Sequence, residues 1–300
     1  TDADFSRLTG LKQGVQTGTF SLESMVETPI NITTATNGNI HRAGLETVNY
    51  DSKTLSTVTT KSRPEVNSVN EIKSLGINDL MINGVAIRPA LPADDTLSVT
   101  QSLSSKASAS AIATAAAINV STAKTGVTAV PVPSKISGDV TSTALPSAAT
   151  LAATADSTVS LFINGKNIPI VMSTTQTEAE RRTTVVNAIT ANAGLTGVGA
   201  VDNGNGGVTL QAVDGRNVSV WFDSDKVNAG SFGLGSGTVT NTPDGLSAIA
   251  GGNINTTSAA TIYASVSLQS DKAIKVEPGN NGFTEQSNFS NLGFSQGTFG

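Results

Sequence analysis

Leu80-Met81-Ile82-Asn83-Gly84 recurs 81 positions later as Leu161-Phe162-Ile163-Asn164-Gly165. In both copies an alternating apolar stretch runs into Asn-Gly, which is the strongest short signal for a two-residue hairpin turn. A helix-like stretch and then a Gly-Val strand follow each turn. Because a repeated unit dictates architecture, the sequence predicts repeated structural modules, not a single pocket.

The two copies keep a common register beyond the turn. Ile118 matches Ile189 and Val127 matches Val198, each pair 71 positions apart. The remaining ten-residue difference falls between hairpin and helix, where the first copy carries residues 94–106. An insertion confined to a loop is what a genuine repeat tolerates.

The second copy carries the clearer helix signal. Thr177 and Glu180 fit a capping box. Residues at helical spacing then predict one buried face: Arg182, Val185, Val186, Ile189 and Ala193. Gly194 is expected to end this helix.

The first copy is predicted to form an Ala-rich helix over 108–119. Its expected buried face includes Ile112, Ala115 and Ile118. Alternating residues predict two more hairpins, one over 208–222 and one over 262–276.

These patterns predict an α+β fold that is mostly β. Because 300 residues exceed most single cores, we expect several small units. The predicted division gives four segments: an irregular β-rich segment at 1–76, a first module at 77–143, a second module at 144–230, and a loop with a C-terminal hairpin at 231–300.

Composition excludes several classes of function. Charged residues make up 14% of the chain against roughly 25% in soluble domains, and the net charge is −5. A chain with no evident basic patch is a poor candidate for binding nucleic acid or anionic membranes. The absence of cysteine removes disulfides, thiol catalysis and cysteine metal sites.

No apolar run approaches the roughly 20 residues of a membrane helix, so no membrane insertion is expected. No charged-then-apolar leader opens the sequence either, so we expect no cleaved signal peptide within it.

The order of phrases resembles the "IN" motif of bacterial flagellins, found in their outer domains and in some hook-associated proteins. The matching phrases are Ile82-Asn83-Gly84, Ile163-Asn164-Gly165, Gly126-Val127-Thr128-Ala129 and Leu210 through Val218. Residues 263–270 and 292–300 look like the end of such a region. The resemblance covers roughly 77–300. The long terminal helices through which flagellins polymerise have no counterpart here.

The resemblance implies a structural role at the bacterial cell surface, in the flagellum, and in motility. Its implied partners are other flagellin subunits in the full-length protein, with polysaccharide or host receptors as further contacts. Because no heptad seam is present, we expect the fragment itself to be monomeric. The resemblance implies neither an enzyme nor a cofactor.

Several residues have side chains that can form chemical sites but are better explained as ordinary structure. His41 is the single histidine, which is too few for a zinc site and lies in no nucleophile elbow. Asp223-Ser224-Asp225 lacks the later oxygen ligands of a calcium loop. Asp94-Asp95 fits a loop or helix cap, and residues 233–237 lack the Lys-Ser/Thr of a phosphate-binding loop.

A binding function stays open as an alternative. Trp221 and Tyr263 could stack on a sugar ring, which would make the chain a surface adhesin for polysaccharide, although a core contact is the favoured reading. A hydrolase with paired carboxylates is the weakest hypothesis, because the acids are scattered in turns.

Overall fold

The computed structural model describes residues 30–34, 38, 40, 48–50, 55–66, 69–138, 156–173, 175–222, 227, 229–234, 240–241, 259–279 and 287–300. The chain divides into two compact units, Thr1–Thr54 and Leu55–Gly300. In the first unit, strand β1 (Ile30–Ile32) pairs antiparallel with β2 (Val48–Tyr50).

The second unit holds all the other elements described below, and it is α+β and mostly β. Its strands are β3 (Ser56–Thr59), β4 (Leu80–Ile82), β5 (Val85–Ala86), β6 (Thr128–Pro131), β7 (Ser134–Ile136), β8 (Asp156–Ile163), β9 (Lys166–Ser173), β10 (Gly199–Asp202), β11 (Val208–Ala212), β12 (Val218–Phe222), β13 (Thr240–Asn241), β14 (Ala260–Ile262), β15 (Val266–Ser270), β16 (Ile274–Pro278) and β17 (Gly297–Phe299). Its helices are α1 (Ala111–Asn119), α2 (Thr122–Thr125), α3 (Glu178–Ala191) and α4 (Ala193–Thr196).

Strand pairing reveals two copies of one topology. Strand β15 lies between β3 and β6, and β16 lies between β4 and β17. In the same way, β11 lies between β7 and β10, and β12 pairs with β8 and β14. We call β3–β6, α1, α2 and β15–β17 the framing module, and β7–β14, α3 and α4 the nested module.

Each copy runs as a lone strand, a hairpin, a helix, a short helix, a strand and then two strands that lie in different sheets. The predicted hairpins over 208–222 and 262–276 are therefore wrong, because the first strand of each joins one sheet and the second strand crosses to the sheet that holds β8 or β4. In the nested module these elements follow one another. In the framing module these last two strands, β15 and β16, come only after the whole nested module. The two copies are therefore not in tandem, because one is inserted into the other between β6 and β15.

The register of the copies agrees residue by residue. Leu268 lies opposite Ala129, and Leu210 lies opposite Ala200, which is 71 positions after Ala129. The sequence around them also repeats, as 266–269 (Val-Ser-Leu-Gln) and 208–211 (Val-Thr-Leu-Gln).

This arrangement differs from the predicted four segments. The compact unit starts at Leu55, inside the predicted segment 1–76, because β3 pairs with β15. The predicted last segment, 231–300, is shared between the copies. Residues 260–262 pair with the nested sheet, while 266–278 complete the framing sheets.

Each module has its own hydrophobic core. The nested core gathers Ile163, Val185, Ile189, Val198 and Leu210 with other buried side chains, and the framing core gathers Ile82, Ile118, Val127, Leu268 and Val276. The matched isoleucines Ile118 and Ile189 are both fully buried. In the framing helix Ala115 and Ile118 are buried as predicted, whereas Ile112 is half-buried.

Helix ends follow local chemistry. The capping box at Thr177 and Glu180 is confirmed, since the Thr177 hydroxyl accepts the Glu180 N–H and the Glu180 carboxylate accepts the Thr177 N–H. The predicted stop at Gly194 is wrong. Helix α3 ends at Ala191, and the left-handed residue is Gly197, after α4, with φ of 71°.

Candidate functional site

The repeated Asn-Gly pairs form the same turn in both modules. Asn83 and Asn164 both have φ of 49°, and Gly84 and Gly165 have φ of 77° and 76°. Strand pairs flank each turn directly, Ile82 with Val85 and Ile163 with Lys166. Positive φ at both central residues is the type I′ pattern, so the predicted two-residue hairpin turns are confirmed.

The asparagine side chains make an equivalent set of hydrogen bonds in the two modules. Asn83 Nδ2 donates to the Thr125 carbonyl at 2.7 Å, and its Oδ1 accepts the Lys275 N–H at 2.7 Å. Asn164 Nδ2 donates to the Thr196 carbonyl at 2.9 Å, and its Oδ1 accepts the Ser219 N–H at 2.9 Å. We call this arrangement the asparagine clamp.

The clamp joins three parts of each module. It ties the first hairpin to the end of the short helix and to the neighbouring strand. The backbone supports it, because the Asn83 N–H donates to the Lys275 carbonyl and the Asn164 N–H donates to the Ser219 carbonyl. An amide side chain is needed here, because it donates and accepts at once.

The threonine that each clamp reaches is also repeated. Thr125 Oγ1 accepts the Val127 N–H, and Thr196 Oγ1 accepts the Val198 N–H, both at 3.1 Å. A left-handed glycine, Gly126 or Gly197, follows each threonine. This glycine turns the chain from the short helix into the next strand.

The loop inserted in the first copy docks the two modules. Ser104 Oγ lies 2.6 Å from the hydroxyl of Thr261, which in turn lies 2.7 Å from the Ser219 hydroxyl. Ser104 Oγ also donates to the Ala259 carbonyl and contacts the Ser102 hydroxyl. These buried hydroxyls form a continuous row, which we call the hydroxyl junction.

Asn217 extends the contact on the nested side. It is fully buried, and its Nδ2 donates to the Lys106 carbonyl at 3.1 Å. Its backbone N–H donates to Ser98 Oγ at 2.9 Å. The insertion thus works as the interface between the copies.

Tyr263 belongs to this junction. Its hydroxyl donates to the Ser104 carbonyl at 2.7 Å and accepts the Lys106 N–H at 3.0 Å. The Arg63 guanidinium lies 4.6 Å from the ring centroid. Burial raises the pKa of Tyr263 to about 12, and burial lowers the pKa of Arg63 to about 10. Two backbone carbonyls, of Lys73 and Ala109, accept the Arg63 N–H groups.

Trp221 lies on the opposite face of its strand from Val220 and Phe222. Its ring stacks on Phe162, with the centroids 5.3 Å apart, and packs with Ala259. Trp221 is 0% exposed and Tyr263 is 3% exposed. A sugar ring therefore has no open face of either residue to stack on, and both act as packing contacts.

The acidic pair in the inserted loop serves local structure. Arg88 binds both carboxylate oxygens of Asp94, at 2.7 and 2.8 Å, and this hydrogen bonding lowers the pKa of Asp94. Asp94 also accepts the Leu91 N–H, and Asp95 accepts the N–H groups of Leu97 and Ser98. The pair thus caps and closes its loop, in line with the sequence interpretation.

Other sequence candidates lie outside the described residues: His41, Asp223-Ser224-Asp225 and 235–237. Gly233 has φ of 70°, and its carbonyl accepts the Val208 N–H at 2.7 Å. In the framing module the carbonyl of Gly293, with φ of 83°, accepts the N–H of Lys61, which follows β3. The two glycines sit in matching phrases, Phe232-Gly233-Leu234 and Leu292-Gly293-Phe294.

This second repeat, like the 266–269 match, is present in the sequence but is too short to predict a module by itself. Its signal was the order of apolar residues around a glycine. The described residues contain no group of three or more His, Cys, Asp or Glu side chains placed to hold a metal. Among the described helices, none is long and apolar enough to cross a membrane.

The arrangement can therefore hold backbone segments together and orient one module on another. Comparison with known proteins does not add to this: no protein family matches the chain, and no curated protein matches it significantly.

Proposed function

We propose that the chain is the structural, surface-exposed region of a flagellin-like filament protein, made of two IN-type modules. Its work is to project from a filament body and form its outer surface. In this proposal the protein is extracellular and serves motility, its partners are other flagellin subunits of the full-length protein, and the modules perform no catalysis.

One geometric observation carries the proposal, namely that the first and last strands of the framing module lie side by side, as do the chain segments that lead into and out of the nested module. Gly300, just after β17, lies against Ser56, the first residue of β3. A Cβ at Gly300 would be 3.1 Å from Ser56 Oγ, so the first and last strands of the framing module are adjacent. The Val132 N–H donates to the Ser265 carbonyl at 2.9 Å, so the entry and exit of the nested module meet too. This geometry lets a module be added to a body while the body keeps its own fold.

The interior chemistry supports the same conclusion. The repeated polar residues are used to clamp backbone, and the hydroxyl junction is used to fix one module on the other. The buried positions of Trp221 and Tyr263 remove the observation that favoured an adhesin.

Antibody labelling tests the proposal. Antibodies raised against residues 55–300 should decorate flagellar filaments along their length when applied to intact cells that carry the gene. Cells lacking the gene are the control. Labelling confined to the cell body, with bare filaments, would overturn the proposed function.

A graft supplies an independent test. Residues 55–300 should replace the outer region of a filament-forming flagellin without loss of filaments, because their ends are adjacent. The matched control carries Ile189→Asp, which should unfold the nested module. Filaments that fail with the native graft as badly as with the control would contradict the proposal.

A further inference from the structure

Four Asn-Gly pairs lie within the described residues, and the structure treats them differently. They begin at Asn83, Asn164, Asn203 and Asn205. An asparagine followed by glycine can lose its amide without an enzyme, because glycine has no Cβ to hinder its backbone nitrogen. Whether it does so depends on whether side chain and backbone can reach each other.

Three of the four asparagines have anchored side chains. Asn83 and Asn164 are held by the asparagine clamp, through both amide atoms. Asn203 Nδ2 donates to the Thr209 hydroxyl, and the N–H of the following Gly204 donates to Asp202 Oδ1. Reaction at these sites requires those bonds to open first.

Asn205 stands apart. It is exposed, at the centre of the short 3₁₀ turn Gly204–Gly206, and no described residue forms a hydrogen bond with its side chain. Among the described residues, one hydrogen bond holds the nitrogen of the following Gly206: its N–H donates to the Asn203 carbonyl at 3.1 Å. Glycines at 204, 206 and 207 surround it, so the backbone can rearrange at little steric cost.

We propose that Asn205 is a site of spontaneous deamidation, and that the asparagine clamp protects Asn83 and Asn164 from the same reaction. The Gly206 nitrogen, after losing its proton to solvent, forms a bond to Cγ of Asn205. The Cγ–Nδ2 bond breaks, and ammonia leaves. Water then opens the cyclic imide to aspartate or isoaspartate, so no other reagent is needed.

The conversion adds one negative charge beside Asp202. Asp202 already accepts Arg182 Nε at 2.8 Å and the Gly204 N–H at 2.8 Å. The modified loop thus gains charge next to an ion pair on the nested module, on a chain that already has net charge −5.

The test is incubation of the purified protein in mildly alkaline buffer, followed by peptide mass spectrometry that distinguishes positions 203 and 205. We expect Asn205 to convert at least roughly tenfold faster than Asn83 or Asn164, a ratio equivalent to about 1.4 kcal/mol of opening free energy. In denaturant the clamped asparagines should lose this protection and react at rates comparable to Asn205.

A matched variant isolates the site. Gly206→Ala should suppress conversion at Asn205 and leave the fold intact, because a Cβ there meets only Asn203 Cβ at 3.4 Å. Unchanged conversion in Gly206→Ala, native rates at Asn83 or Asn164 equal to that at Asn205, or an Asn205 that stays unmodified while the denatured chain reacts would each overturn the proposal.

Discussion

The nested and framing modules share a topology but differ in the lengths of their strands and helices. The nested hairpin β8–β9 has eight residues per strand and packs under a 14-residue helix, whereas the framing hairpin β4–β5 has strands of three and two residues, and its helix has nine. The clamp geometry is the same in both. Element length is thus free to change, while the contact among hairpin turn, short helix and neighbouring strand is retained.

The framing module also differs in being interrupted. Its last two strands reach the sheet only after the nested module has been made, and its loop at 94–106 supplies much of the hydroxyl junction. The nested module therefore depends on local contacts, and the framing module on contacts between distant parts of the chain.

The largest expected effect tests whether the two cores are equivalent. Ile118→Ala and Ile189→Ala should each lower the free energy of unfolding by roughly 2–5 kcal/mol, because each empties a fully buried site. Leu195→Ala, at an exposed position of the nested module, is the control and should change little. Denaturant unfolding measures all three. A change below about 0.5 kcal/mol at Ile189 would place its helix face in solvent.

The asparagine clamp should contribute more to the free energy of unfolding in the module where its asparagine is more deeply buried. Asn164 is 2% exposed and Asn83 is half-buried. We expect Asn164→Ala to cost about 2–4 kcal/mol and Asn83→Ala about 1–2 kcal/mol, since the lost side chain leaves a carbonyl and an N–H without partners.

Asn164→Gly refines this comparison. Glycine keeps the positive φ of the turn and removes only the side-chain hydrogen bonds, so its cost should lie below that of Asn164→Ala. Equal stability of the native chain and Asn164→Gly in thermal or denaturant unfolding would show that the clamp contributes nothing beyond turn geometry.

The hydroxyl junction should contribute less to the free energy of unfolding than either hydrophobic core does. Ser104→Ala removes the hydroxyl that bonds the Ala259 carbonyl and Thr261, and should cost about 1–2 kcal/mol. Hydrogen exchange should rise in β14 and around Asn217 before it rises in either core. Faster exchange throughout the nested core, with no local rise at the junction, would contradict this order.

A pH effect of smaller size is expected at Tyr263. The chain has two tyrosines, so Tyr50→Phe leaves Tyr263 as the single reporter. Because the folded pKa of Tyr263 is raised to about 12 from an ordinary value of 10, its stabilising contribution is complete below pH 10 and is lost as pH rises through about 12. Ultraviolet titration should show ionisation near the higher value. Ionisation near pH 10 in the folded protein would mean an accessible hydroxyl.

Features that depend on a few adjacent residues can be predicted from the sequence. The Asn-Gly turns and the Thr177 capping box follow from preferences of a few adjacent residues, and the 71-residue register follows from the helix and strand that share it. The prediction at Gly194 is wrong because the helix already ends at Ala191, and the left-handed glycine comes after a further short helix.

The nested arrangement was not predicted. The match between 266–269 and 208–211 is four residues long and lies beyond an entire inserted module, so the sequence predicts the tail as a separate segment with a hairpin of its own. The sequence predicts an insertion at 94–106, but the docking role of this loop depends on contacts with Thr261 and Asn217, which no local pattern encodes. Burial of Trp221 likewise depends on Ala259, across the sheet.

Excision of the nested module tests the central claim most directly. Residues 133–264 would be removed and an Asn-Gly pair placed between Val132 and Ser265, whose backbones are already hydrogen-bonded across β6 and β15. We expect the shortened chain to fold, with amide NMR signals of β6, β15 and β16 that match those of the intact protein. An unfolded shortened chain, or one in which β15 no longer pairs with β6, would contradict a nested repeat.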